Sequence, residues 1–136
     1  MTAGPPPPQV RPTATSQPFW DGLAAGEVRI QCCDACGTWI HYPRNRCVSC
    51  FSAQLSFRAV EPVGTVHTFA VADVPTAPWL ADRGRMVIAV VELDIGVRLT
   101  TDLVDVDPDD VHVGLRVEGV FRPDAGATLL LFRPAG

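Results

Sequence analysis

Lysine is missing from this 136-residue chain: all eleven basic side chains are arginine, set against fifteen acids for a formal charge of −4. A chain this acidic has no general electrostatic reason to approach nucleic acid or anionic lipid. No stretch reaches the ~20 apolar residues that a membrane-crossing helix needs. A basic start followed by an apolar core is also lacking, so the N-terminus does not read as a signal peptide. Glycine-rich phosphate loops are absent, and no serine or cysteine sits in a nucleophile motif. Of the three histidines, His67 falls inside a strand pattern, where a strand-facing, hydrogen-bonded role is the ordinary expectation, and His112 follows an acidic turn, exposed. Asp109 and Asp110 are adjacent, so on any regular element they diverge and make a solvated turn rather than a carboxylate pair. No catalytic constellation emerges.

What is present suits a small β protein. The chain is 47% hydrophobic with a mean hydropathy of +0.17, enough to bury a core within one domain or a small domain with an appendage. Residues 1–18 hold six of the thirteen prolines, including Pro5 to Pro8, and one charge, Arg11. Residues 1–16 are therefore expected as a disordered proline-rich tail, either a plain linker or a proline-rich ligand for a partner. From Gln17 the character changes: Phe19, Trp20 and Leu23 predict a short amphipathic helix that Gly26 ends. So short a helix cannot bury two adjacent aromatics by itself. They pack either on the chain's own ribbon or barrel, or on a partner.

Val28 to Gln31 alternates like a strand, and residues 38–46 form a hairpin. Further strands are expected near 54–60, 63–73, 85–94, 96–105, 114–122 and 127–133, separated by proline, glycine and aspartate clusters. The last five, with a break between the third and fourth, suit a five-stranded Greek-key barrel of the OB type, a small β-sandwich being the alternative. Asp107 is expected to cap one helical turn at that break. The fold class is thus mostly β: a short helix and cysteine-bearing ribbon over 17–58, then an OB-fold barrel over 59–136.

The most specific signal is a pair of CxxC turns, Cys33 to Cys36 and Cys47 to Cys50, with ten residues between them. Four thiolates around Zn²⁺ make a closed tetrahedral site with no position for water or substrate, which means a structural metal. Gly37, just past the first pair, allows the positive φ that such a turn commonly needs. A rubredoxin-like iron site and two disulfides are the competing readings; a reducing cytoplasm, the expected location, disfavours the second. Four thiolates and one Zn²⁺ add two net negative charges, taking the formal −4 to −6 and weakening a polyanion-binding role further. The fifth cysteine, Cys32, points away from the site as a spare thiol. His41, Arg44 and Arg46 in the hairpin read as a solvent-facing cluster that offsets the site's charge or meets an anionic ligand or partner.

Residues 74–85 place Trp79, Arg83 and Arg85 in a loop between two strands. Barrel loops carry ligand recognition in OB folds, and tryptophan beside arginines suits an apolar group with a charged end. The plainer expectation is that Trp79 folds down to plug the barrel while the loop contacts a ligand or partner.

Phe19-Trp20-Asp21-Gly22-Leu23, then Ile30 to Gly37, Tyr42-Pro43-Arg44, Cys47 to Cys50 and Gly64 to Phe69 together resemble a known family. It is the acyl-CoA-associated zinc-ribbon/OB-fold family, once known as a domain of unknown function, and the likeness covers roughly residues 17–133. The resemblance implies an accessory protein for thiolase-like enzymes, as a separate subunit or fused to acyl-CoA hydratases. One such setting is a lipid-transfer-protein-type aldolase that cleaves a steroid side-chain acyl-CoA. The lysine-poor, Arg/Ala/Val/Asp-rich composition resembles high-GC actinobacterial chains. Cys32 and Val48 depart from the family pattern, and neither is a metal ligand. The expectation is a non-catalytic subunit with structural zinc. The rivals are a stand-alone acyl-CoA binder using Arg44, Arg46, Arg83 and Arg85, and an OB-type nucleic-acid binder.

Overall fold

The computed structural model describes residues 6–74 and 77–136. The start of the proline-rich tail, residues 1–5, and Pro75 and Thr76 of the loop expectation lie outside the described residues. Elements follow in the order α1 (Gln17–Ala24), β1 (Val28–Cys33), β2 (Trp39–Ile40), β3 (Leu55–Val60), β4 (Val63–Ala72), β5 (Met86–Leu93), β6 (Arg98–Leu103), β7 (Arg116–Asp124) and β8 (Ala127–Pro134). Short 3₁₀ turns cover Pro78–Leu80 and Pro108–Asp110. In the second, the Asp107 carboxylate accepts from the Asp109 N–H at 2.9 Å, the cap expected from the sequence.

Pro18 opens α1, where its missing N–H costs nothing, and Gly26 ends it with φ +80°. Residues 13–16 form a turn ahead of the helix: the Gln17 N–H donates to the Thr13 carbonyl at 2.8 Å, and the Thr13 N–H to the Ser16 hydroxyl at 2.9 Å. The helix buries Leu23 and half-buries Phe19 and Trp20 against the chain's own core, leaving part of each ring exposed.

β1 is the centre of an antiparallel sheet ordered β2-β1-β3. It is buried almost throughout, because it has a neighbour on each edge and α1 packed against it. The five later strands close a barrel in the order β4-β5-β6-β8-β7, the expected OB-type fold. β5 shows the alternation that reads as one wet and one buried face: Val87, Ala89, Val91 and Leu93 turn inward. Leu23, Val28 and Ile30 join them, with Val117 and Phe132, in one continuous cluster.

Two features position the site. First, β6 and β8 pair in parallel at a single register, Leu103 opposite Phe132. The Val104 N–H donates to the Phe132 carbonyl at 2.8 Å, and the Thr101 hydroxyl to the Leu130 carbonyl at 3.2 Å. Second, only Glu61 and Pro62 separate β3 from β4. The Gly119 N–H on β7 donates to the Pro62 carbonyl at 2.7 Å, and a Cβ on Gly119 would stand 2.7 Å from that of Pro62. Glycine there lets β7 lie directly against the connection.

No helix among the described residues is long and apolar enough to cross a membrane.

Candidate metal centre and the adjoining cleft

β1 delivers Cys33 to the first knuckle, and the turn is closed by the Gly37 N–H donating to the Cys33 carbonyl at 2.8 Å. Gly37 sits at φ +79°, the conformation that its place after Cys36 predicts. The second knuckle repeats the device: the Phe51 N–H donates to the Cys47 carbonyl at 3.0 Å. Phe51 occupies the left-handed region at φ +63° without being glycine, and the residue is 74% exposed. The Ser49 N–H points at the Cys47 Sγ from 3.3 Å, the kind of donor that steadies a thiolate.

The four Sγ atoms of Cys33, Cys36, Cys47 and Cys50 lie within 4.8 Å of one another. Across the cluster, Cys33 faces Cys50 and Cys36 faces Cys47 at 3.6 Å each. Zn–S bonds of about 2.3 Å in a tetrahedron put sulfurs about 3.8 Å apart, so the donor set fits a four-thiolate metal. Cys33 and Cys47 are buried, while Cys36 and Cys50 face solvent. The Thr38 hydroxyl and backbone beside Cys36 bring its thiol down to about 6. At Cys50 the Ser52 backbone pulls the other way, but Cys33, burial and the remaining thiols push it up to about 12. Sulfurs this close cannot all ionise unaided, and a bound dication lifts that restriction.

Cys32 is buried outside the cluster with its Sγ 3.7 Å from the Gly37 carbonyl, the spare thiol expected. Sequence reasoning missed Gln31. It is 4% exposed, its amide nitrogen donates to the Arg44 carbonyl and its amide oxygen accepts from the Arg44 N–H, both at 2.8 Å. That bidentate clasp fixes the hairpin between the knuckles. A polar residue inside an otherwise buried strand was the available signal.

The solvent-facing cluster of His41, Arg44 and Arg46 needs correction. Arg44 and Arg46 are exposed, but His41 is half-buried, with Phe19 and Tyr42 rings 5.5 and 4.3 Å from its centroid. Its Nδ1 is buried without a partner, and burial brings its pKa down to about 4. His41 is therefore a neutral wall residue, not a counter-charge. Trp79 also departs from expectation: it is 38% exposed in the turn Pro78–Leu80 and does not plug the barrel, whose interior Phe132 and the β5 side chains already fill. Arg85 is held by Asp73 at 2.8 Å and Asp109 at 3.4 Å, tying its loop to the second 3₁₀ turn. Arg83 and Arg85 line a cavity of about 460 Å³ at the β7–β8 end, whereas Arg44 lines another beside Trp39 and Val97. The four arginines do not share one cavity.

Phe19, Trp20 and His41 do converge. With Tyr42, Leu129 and Leu131 they line a largely apolar cleft of about 330 Å³ over the β6–β8 seam. No nucleophile–base pair appears among the described residues. His67 is exposed as the extra residue of a β-bulge between Val66 and Thr68, with no side-chain hydrogen bond among the described residues, rather than the bonded strand residue expected. His112 Nδ1 lies 3.0 Å from the neighbouring Val113 carbonyl.

Residues 20–56 match the model of the ChsH2 rubredoxin-like zinc ribbon domain, and residues 57–122 that of the ChsH2 C-terminal OB-fold domain. A DUF35 domain-containing scaffold protein of Methanothermobacter thermautotrophicus is 31% identical over 106 residues, covering 62% of this chain and 79% of that protein. A probable enoyl-CoA hydratase alpha subunit of Thermomonospora curvata is 37% identical over 121 residues, 86% of this chain but only 37% of the relative's length. Among solved structures, the Ltp2-ChsH2(DUF35) aldolase contains a chain matched at TM-score 0.86 and 30% identity, covering 94% of this chain and 100% of that one. With the ribbon and barrel in the same order as these proteins, the chain belongs to the DUF35 family, with ChsH2-type zinc-ribbon and OB-fold domains.

Proposed function

We propose that the chain is a non-catalytic accessory subunit that docks on a thiolase-like enzyme and supports its acyl-CoA chemistry. The specific setting is a lipid-transfer-protein-type aldolase performing retro-aldol cleavage of a steroid side-chain acyl-CoA, with an acyl-CoA hydratase as a further partner. The observation that carries this reading is the end-to-end likeness to the chain of the Ltp2-ChsH2(DUF35) aldolase. The hydratase alpha subunit of Thermomonospora curvata supports the same neighbourhood of chemistry.

In this reading Cys33, Cys36, Cys47 and Cys50 hold Zn²⁺ in a reducing cytoplasm. Zinc bound there crosslinks the two knuckles and, with all four positions taken by sulfur, contributes folding rather than activation of substrate. The chain's own residues do the rest: Gln31 sets the hairpin, and exposed Tyr42, Val48 and Phe51 offer apolar contact beside Arg44 and Arg46. The test is a tagged pull-down from the source organism read by mass spectrometry, with an acyl-CoA cleavage assay on the isolated chain. Recovery of a thiolase-like enzyme, with no turnover by the chain alone, is expected. Turnover by the pure chain, or a folded, zinc-loaded chain that captures no such enzyme, overturns the reading.

A further inference from the structure

The cleft over the β6–β8 seam carries two groups without a hydrogen-bond partner among the described residues: the buried His41 Nδ1 and the half-buried Asp102 carboxylate. Asp102 is half-buried on the wall shared by the 330 Å³ cleft and the larger cavity next to it. Burial raises its pKa, with Arg83 opposing. Among the described residues no hydrogen bond or ion pair reaches its carboxylate, although eight ion pairs satisfy acids elsewhere on the surface. Leaving a carboxylate partly out of water without a donor is costly. Such a cost persists in natural proteins mainly where something else compensates it.

The rest of the cleft says what that partner resembles. Its walls are the rings of Phe19, Trp20 and Tyr42 and the side chains of Leu129 and Leu131. The Thr101 hydroxyl on the same strand is already committed to the Leu130 carbonyl. Arg83 lines the neighbouring cavity and partly offsets the Asp102 charge from beyond ion-pair distance, so a cation gains less here than at an unopposed carboxylate and must shed its hydration among apolar walls. An anion meets Asp102 itself. A neutral donor avoids both penalties, since its hydrogen can go to Asp102 while its body stays on the apolar walls. At about 330 Å³ the cleft is at the small end of ligand pockets, which run from about 300 to 1,000 Å³. An apolar body with one or two placed polar contacts is the usual occupant of such a site.

We infer that this cleft binds a compact apolar alcohol or phenol, its body against Trp20, Leu129 and Leu131 and its hydroxyl donating to Asp102. This site is separate from the metal centre and does not depend on the accessory role, so the two readings fail independently.

The test is a nuclear magnetic resonance titration of the full, metal-loaded chain with 2-naphthol, naphthalene, 2-naphthoate and 2-naphthylmethylamine. Saturable binding of 2-naphthol is expected, with shifts centred on the Trp20 indole N–H and the amides of residues 129–131. A hydrogen bond to a charged group predicts affinity about 10-fold or more above that of naphthalene. Asp102→Leu reduces 2-naphthol to the level of naphthalene while naphthalene binding stays, which also reports an intact cleft. Leu131→Trp, which fills the cleft, abolishes binding of both. Equal binding of 2-naphthol and naphthalene, retention of the preference in Asp102→Leu, or shifts centred elsewhere overturns the inference. Tightest binding of the amine would make the site one for cations and overturn it too. Failure of every probe, with the cleft shielded from hydrogen exchange only when a partner enzyme is bound, would make it part of a docking face instead.

Discussion

At the knuckle end of the ribbon, Cys33, Ile40 and Cys47 form the buried hydrophobic cluster, with Leu55 packed against them; the barrel end gathers fourteen into one cluster. Three or four side chains cannot offset the conformational entropy of two turns and a hairpin, so the knuckles depend on thiolate–metal bonds. The barrel is stabilised by apolar burial and needs no such crosslink. Between the two ends, Leu23, Val28 and Ile30 belong to the barrel's cluster although they precede the cysteines in sequence. Domain limits drawn along the chain therefore differ from the boundary between the two kinds of stabilisation.

The sharpest way to separate the ends is to remove the metal. Chelation or Cys47→Ser should abolish hydrogen-exchange protection in residues 33–52 while the amides of β5 and β7 stay protected, and partner affinity should fall with the knuckles. Loss of protection across the whole barrel, or unchanged partner affinity, would contradict the division. The converse change is Phe132→Ala, which empties a side chain that is 0% exposed. It should cost about 3–5 kcal/mol in denaturant unfolding and leave the metal content of the folded fraction unaltered.

His41 probes the seam between the two ends by pH. Its folded pKa is about 4 against an ordinary 6.5, so between those values the unfolded chain takes up a proton that the folded one refuses. Stability must then fall as pH drops through this window. At ~1.4 kcal/mol per unit, the loss between pH 7 and pH 5 is roughly 2 kcal/mol. His41→Phe should lose correspondingly less over that range, measured against the wild type with both proteins metal-loaded. The smallest expected effect is at the knuckle tip. Phe51→Gly relieves a left-handed phenylalanine and should stabilise the metal-loaded ribbon by about 1 kcal/mol, while weakening partner binding if that exposed ring is a contact.

Local features were the ones legible in the sequence. The paired CxxC spacing, Gly37 after the first knuckle, the Asp107 cap and the alternation of β5 each depend on neighbours within a few residues. His41 was misread because its burial is decided by Phe19, twenty-two positions earlier, which no local pattern reports. Trp79 was misread for the opposite reason, since whether the barrel interior has room for it depends on Phe132 and β5 together. The cleft was invisible altogether: it exists because β6 and β8 meet at one register only, a property of closure rather than of either strand's composition.

The two-residue link between β3 and β4 has a mechanical consequence. With Pro62 held by the Gly119 N–H and no space for a side chain at that glycine, the joint has no slack in which to pivot. Ribbon and barrel behave as one bracket with a fixed included angle. An enzyme gripping the knuckles would therefore also set the aim of the barrel, and the span between two anchored surfaces would be gauged by this chain's stiffness.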